Sequence, residues 1–525
     1  MAGHSDAGAQ LPEYPAGTPR HIMTQAIHNY ENPDLARLKA AAAHVVATTT
    51  DHDPRAGVPI DHPLLRGVDD YAAHALKGKT IPRPATTDAS DPEAAAYLAY
   101  LMHHKAHAGF TLNKKIESDL QAQLDRFTFG NPDWQRMFDQ YVAYFWAYPG
   151  HTGGVLDYRS WRDPKYGNGD LNFGTIEWCL PSNATVALIG DIGTGVDIAA
   201  RVLASALSFK PDVILHVGDV YYSGTQWEFD HYFVGLLKAA FDAAGHAPPV
   251  YTLPGNHEYF SGAFPYFKCL DSRTLVHSPD QSQRASFFKL TTEDGGWQFL
   301  GMDTGYHGHY MGVKGDKLAK ALKAMGVNPK DVRDPVKPPE MVHLRPDEVD
   351  WHRYHLGQFQ GRSILFGHHQ LYSANQKVGA DPTSPDDYAR PGVNIALWQA
   401  MGPYFDKVAA WFWGHEHNLC IFEDDYRPEG RPAPSEAPDD PWKTLHKGRC
   451  IGHSAIPVAE KETPYKANNP VPLIPDTQLA MTGGWYNRGY QILKLNGAGK
   501  AAHCSYYQIN GADPKPIKIY SENIS

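Results

Sequence analysis

From about residue 174 onward, short apolar runs recur along the chain. They are ATVALI (184–189), DVILHV (212–217), VYTL (250–253), WQFLGM (297–302), SILF (363–366) and VAAWFW (408–413). Each is too short for a stable helix and nearly free of polar interruption, which predicts strands covered on both faces. Between them lie longer stretches with apolar residues at three- and four-residue spacing: VDIAARVLASALSF, EFDHYFVGLLKAAFDAAG and DEVDWHRYHLGQF. That spacing predicts amphipathic helices, and the alternation of the two predicts an α/β fold. Near the C-terminus, GYQILKLNGAGKAAHCSYYQI reads as a closing hairpin.

The first 173 residues have a different texture. Residues 1–30 are rich in Ala, Gly, Pro and His with little periodicity, and read as a flexible N-terminal arm. From about 34 to 147 the pattern is helical, with Asp91 and Asn131 placed as N-caps ahead of Pro92 and Pro132. Residues 148–173 are dense in Gly, Pro and Asp and read as a linker or surface loop. The expected division is the arm (1–30), a helical N-terminal domain with its linker (31–173), and an α/β domain (174–525).

Composition narrows the function. The chain has 525 residues, 42% hydrophobic and 20% charged, which is globular rather than disordered. Its net charge of −10 argues against a general nucleic-acid binder held by a basic surface. No stretch approaches the length of a membrane-spanning helix, and the first residues carry no basic-then-apolar run, so no membrane or export signal is expected. The five cysteines form no C-x-x-C pair, which suits a reduced cytoplasm and speaks against a thiolate zinc site. The 28 histidines exceed what packing needs, and histidine is the commonest metal ligand.

The chemistry gathers where the strands end. Five of the six runs lead into a polar cluster: Gly190-Asp191-Ile192-Gly193, Gly218-Asp219-Val220-Tyr221-Tyr222, Gly255-Asn256-His257-Glu258, Gly367-His368-His369 and Gly414-His415-Glu416-His417. The sixth ends at Asp303. Sites in open α/β sheets form outside the carboxyl ends of the strands, so these clusters should converge. Carboxylate, amide and imidazole together suit Zn, Fe or Mn, and so many donors suit two metals about 3.5–4 Å apart rather than one. GDIGTG has the spacing G-x-x-G-x-G, not that of a dinucleotide turn. Singly, each cluster has a plainer reading as a turn, an N-cap or a packed histidine.

Taken in order, GD, GDxxY, GNHE, GHH and GHEH resemble the calcineurin-like metallophosphoesterase superfamily, and within it the purple acid phosphatase branch. Other members carry D-x-H at the first motif; here Asp191-Ile192-Gly193 lacks that histidine, and Tyr222 stands where the branch supplies a tyrosine instead. The resemblance covers roughly 184–420. It implies a two-sheet α/β sandwich flanked by helices, and a binuclear metal-dependent phosphoesterase. One ion would be held by Asp191, Asp219, Tyr222 and His417, the other by Asp219, Asn256, His368 and His415, with Asp219 bridging. Fe(III) is expected at the tyrosine site, since phenolate is a hard anionic donor, and Zn, Fe or Mn at the second. Hydrolysis would proceed by attack of a metal-bound hydroxide on a small phosphate ester, a monoester by preference. Alternatives are a phosphodiesterase acting on nucleotides or phospholipid headgroups, and a metal-binding interaction protein without turnover.

Other residues are read with less help from the motifs. His257 is a catalytic acid or leaving-group stabiliser, or else a hydrogen bonder behind the ligands. Glu258 reads as an orienting group. The resembled phosphatases carry a substrate-facing histidine some nine residues beyond the GH ligand; Lys377 occupies that place and would neutralise phosphate oxygens. His103, His104 and His107 read as a packed or solvated helix face. His307 and His309 open an insertion (about 304–345) that is either a lid over the site or a plain surface loop.

Overall fold

The computed structural model describes residues 156–525 apart from 195–196, 310–318, 320–341, 376–377, 379–391, 427–442, 457, 459, 461–463, 467–468, 483–484 and 511–514. The arm, the helical N-terminal domain to residue 155, and Lys377 lie outside the described residues.

Two six-stranded sheets form the frame. The first contains β1 (Thr185–Ile189), β2 (Val213–His216) and β3 (Val250–Thr252), all parallel, extended by antiparallel β12 (Arg488–Lys494), β13 (Ala502–Ile509) and β14 (Pro516–Ile524). Its order is β14-β13-β12-β1-β2-β3. The second contains β4 (Phe288–Thr291), β5 (Trp297–Met302), β6 (Arg362–Gly367), β7 (Val408–Trp413), β8 (Leu419–Ile421) and β9 (Gly448–Ile451). Its order is β4-β5-β6-β7-β9-β8, with β5, β6, β7 and β9 parallel and an antiparallel strand at each edge. A small ladder, β10 (Met481–Thr482) with β11 (Trp485–Tyr486), stands apart.

Alternation along the strands sorts side chains into layers. Val186, Leu188, Val213 and Leu215 of the first sheet pack with Phe299, Ile364, Phe366 and Phe412 of the second, filling the sandwich interior. The neighbouring positions Ala187, Ile189 and Ile214 face outward against α1 (Asp197–Leu207) and α2 (Gly235–Ala244). On the far side Leu300, Met302, Leu365, Trp411 and Trp413 meet Trp351, Leu356, Leu397 and Trp398 of α5 (Pro346–Gln358) and α6 (Ile395–Met401); α3 (Asn256–Tyr259) and α4 (Phe264–Asp271) lie between in sequence. The result is an α/β/β/α sandwich, with its parallel strands covered on both faces as expected.

Residues 156–173, read as linker, lie on this frame. Trp161 and Phe173 are buried beside Trp351 and Phe287, and Arg159 pairs with Asp271.

Candidate metal centre

The parallel strands all point their carboxyl ends the same way within each sheet, and the loops there carry the polar clusters. β1 leads to Asp191, β2 to Asp219 and Tyr221, β3 to Asn256 and His257, β6 to His368 and His369, β7 to His415 and His417. Three of these residues adopt left-handed backbone without being glycine: Asp191 (φ 57°), Asp219 (φ 75°) and His415 (φ 65°). Each such conformation costs roughly 1–3 kcal/mol and gathers at functional sites. Two glycines make the approach possible. A Cβ on Gly255 would lie 2.0 Å from Asp219 Oδ1, and one on Gly218 (φ 106°) would lie 2.7 Å from His368 Nδ1.

The donors fall into two groups, each with ligand atoms within 4.8 Å of one another: Asp191, Asp219 and His417, and His368, His369 and His415. Asp219 belongs to the first and reaches the second, with Oδ2 3.2 Å from His368 Nε2; the same oxygen lies 3.0 Å from the Tyr221 hydroxyl. Asn256 Oδ1 sits 3.1 Å from His368 Nε2 and 3.0 Å from His415 Nδ1. Neither Asp191 nor Asp219 has a Lys or Arg partner among the described residues.

Orientation is fixed from behind. The carbonyl of Val217, 2.9 Å from His368 Nδ1, can only accept, so Nδ1 carries a proton and Nε2 faces the site. Thr304 Oγ1 receives the backbone N–H groups of His368 and His369. The Glu228 carboxylate accepts from the backbone N–H groups of Tyr222, Ser223 and Thr225, pinning the loop after β2.

Charge follows from burial and neighbours. Burial, reinforced by His368, drives His415 down to about 3. Burial drives His417 to about 3 against the pull of Asp219. Both are therefore neutral and hold a lone pair for a cation. Burial also acts on His368, but the carboxylates of Asp219 and Asp191 outweigh it and lift this histidine to about 9. Burial would raise Asp219, yet His257 and His368 hold it well below the usual carboxylate range. In the metal-free protein a proton on His368 thus offsets part of the charge that a cation would neutralise. Hard and borderline donors around two buried carboxylates fit Zn, Fe or Mn.

Asp191, Asp219, Asn256, His368, His415 and His417, the ligands expected from the sequence, meet in this constellation together with His257. The phenol found among Asp191 Oδ1 (2.8 Å), Asp219 Oδ2 (3.0 Å) and His417 Nε2 (2.8 Å) belongs to Tyr221. Tyr222 is half-buried; its N–H bonds to Glu228, and its carbonyl accepts from His257 Nδ1 at 2.7 Å. The Tyr221 hydroxyl thus lies among these donors, one residue before the tyrosine expected there. Spacing along a motif does not determine side-chain direction when the residues just before it, Gly218 and Asp219, are left-handed. His257 places Nε2 3.8 Å from Asp219 Oδ2, within the site. His369, next to His368 in the same cluster, lies beside His415 with ring centroids 4.4 Å apart. Its ring edge rests against Gly308, so the start of the 304–345 insertion reaches the centre.

Residues 184–419 match the family model described as calcineurin-like phosphoesterase. No curated protein matches the chain. Similar solved structures include a purple acid phosphatase from yellow lupin (Lupinus luteus) seeds, 13% identical, covering 65% of this chain and 54% of that one, with a TM-score of 0.35. Another is the protein TT1561 of Thermus thermophilus, 10% identical, covering 46% of this chain and 84% of that one, with a TM-score of 0.27. The chain thus spans about half the length of the lupin phosphatase. At these scores neither neighbour bears on what the chain does.

Proposed function

We propose that this chain, whose residues 184–419 match the calcineurin-like phosphoesterase family, is a metal-dependent phosphoester hydrolase that holds two metal ions side by side and favours small phosphomonoesters. The observation that carries the reading is Asp219, whose one carboxylate touches both donor groups. One ion would be held by Asp191, Asp219, Tyr221 and His417, with a trivalent iron favoured by the phenol. The other would be held by Asp219, Asn256, His368 and His415, with Zn, Fe or Mn as candidates. Bound there, the ions would supply charge neutralisation to the phosphoryl oxygens and a water of lowered pKa.

The chain's own groups set the rest. His257, with its Nδ1 proton engaged by the Tyr222 carbonyl, presents Nε2 toward Asp219. Burial lowers its pKa below the ordinary value, so in the free enzyme Nε2 accepts a proton; an anionic ester alongside would favour the protonated, donating form. Two carboxylates and one phenolate against a trivalent–divalent pair leave about +2, which suits a monoester dianion better than a diester monoanion. Lys377, at the position of the resembled family's substrate histidine, would add a fixed charge. The five unpaired cysteines fit a reducing cytoplasm, and no described helix is long and apolar enough to cross a membrane.

The test combines metal quantitation with rates on p-nitrophenyl phosphate and bis(p-nitrophenyl) phosphate. About two ions per chain and a faster monoester are expected. A faster diester would move the reading to a phosphodiesterase, and tight metal binding with no turnover of either would leave a binding protein.

A further inference from the structure

The loop that carries His415 and His417 is held from below by a thiol. Cys450 Sγ on β9 donates toward the carbonyls of Glu416 (3.3 Å) and Asn418 (3.5 Å). Directly across the sheet, in antiparallel register with Cys450, stands Cys420 on β8. Both cysteines are completely buried and both face the outer core of the second sheet, so their side chains share one face. Directly opposed residues of an antiparallel pair have Cα atoms about 4.5–5.5 Å apart, inside the roughly 4.4–6.8 Å that a disulfide spans.

We propose that Cys420 and Cys450 form a reversible disulfide, and that closing it loosens the loop carrying His415 and His417. A thiol in an S–S bond has no proton to donate, so the Glu416 and Asn418 carbonyls lose that contact. The oxidant is a peroxide. The Cys420 thiolate attacks one peroxide oxygen, giving a sulfenic acid and hydroxide. The Cys450 thiolate then displaces hydroxide from that sulfur. In total two thiols and one hydrogen peroxide yield one disulfide and two waters. Burial raises the Cys450 thiol above its ordinary range, so reaction waits on local opening. The place for opening is β8, a three-residue strand at the sheet edge. The loosening rests on the ligand assignment made above, whereas the disulfide does not.

The experiment uses the full chain, metal-free, in two forms: treated with hydrogen peroxide in the native state, and refolded from denaturant in oxidised glutathione so that burial cannot block access. Peptide mapping should recover a 420–450 cross-link, with the protein lighter by two hydrogens and restored by dithiothreitol. Mn²⁺ affinity should fall roughly tenfold or more in the oxidised protein and recover on reduction. Cys420→Ser and Cys420→Ala should show neither change. Absence of the cross-link from the refolded protein overturns the disulfide. A cross-link with unchanged Mn²⁺ affinity overturns the loosening. Reduced protein that binds no Mn²⁺ overturns the ligand assignment, and the loosening with it.

Discussion

A phenol oxygen within 3.0 Å of two carboxylates and an imidazole, as in Tyr221, either donates to one carboxylate or, its proton lost to solvent, binds a cation as phenolate. Without metal, burial and the two carboxylates keep it protonated, far above its ordinary pKa. A trivalent ion reverses that balance. Tyr221→Phe should therefore weaken metal binding about tenfold or more and abolish any tyrosinate-to-iron absorption in iron-loaded protein. Tyr222→Phe should leave both nearly unchanged, because it is the Tyr221 hydroxyl that lies among Asp191, Asp219 and His417. Loss of the band in Tyr222→Phe, with retention in Tyr221→Phe, would return the ligand to Tyr222. At this scale the sequence was readable for residues defined by type and strand-end position, such as Asp219, Asn256 and His415. It was not readable where two like residues adjoin, as in Tyr221-Tyr222. Which of the two turns inward is set by left-handed backbone and by bonds from distant residues such as Glu228.

Among the elements, β1, β2, β3, β5, β6 and β7 announced themselves because covering both faces leaves a run with few polar residues. Strand β9 did not, since its sequence GRCI contains Arg449, and nothing nearby in sequence shows that this charge is buried against Glu522. The edge strand β14 has a mixed face, and 156–173 was obscured because Gly, Pro and Asp surround its aromatic anchors. The strand-end loops matter as much as the strands. Gly255 begins the turn into α3, where Asp219 Oδ1 occupies the space of a Cβ at 2.0 Å. Gly255→Ala should displace Asp219 from both donor groups, costing about 1–3 kcal/mol in stability and most of the metal stoichiometry. Metal content per chain, measured beside a urea unfolding curve, checks this. Full occupancy of two ions would show that the loop yields instead of the carboxylate.

Across the whole molecule, the two sheets are joined by charge as well as by their shared apolar interior. Arg449 of β9, in the second sheet, makes two bonds to Glu522 of β14, in the first, at 2.8 and 2.6 Å, and a further one to Asp424. Tyr506 and Lys447 complete the ring around Glu522. Removing one partner of such a buried pair leaves the other charge uncompensated, so Glu522→Gln should cost about 3 kcal/mol near neutral pH. The same network sets the acid response. Burial would raise the Glu522 pKa, but the bonds and charge of Arg449 outweigh it and hold the group below the usual range. A carboxylate with a depressed folded pKa stabilises fully above its unfolded value, about 4.3, and loses that contribution as pH falls through the folded value. Wild-type stability should therefore decline as pH falls below about 5, and the decline should be shallower in Glu522→Gln. The two proteins should converge at the acid end, where Glu522 is protonated in both states. Urea unfolding at stepped pH measures this directly, and curves that stay parallel down to that limit would show that the clamp does not govern acid stability.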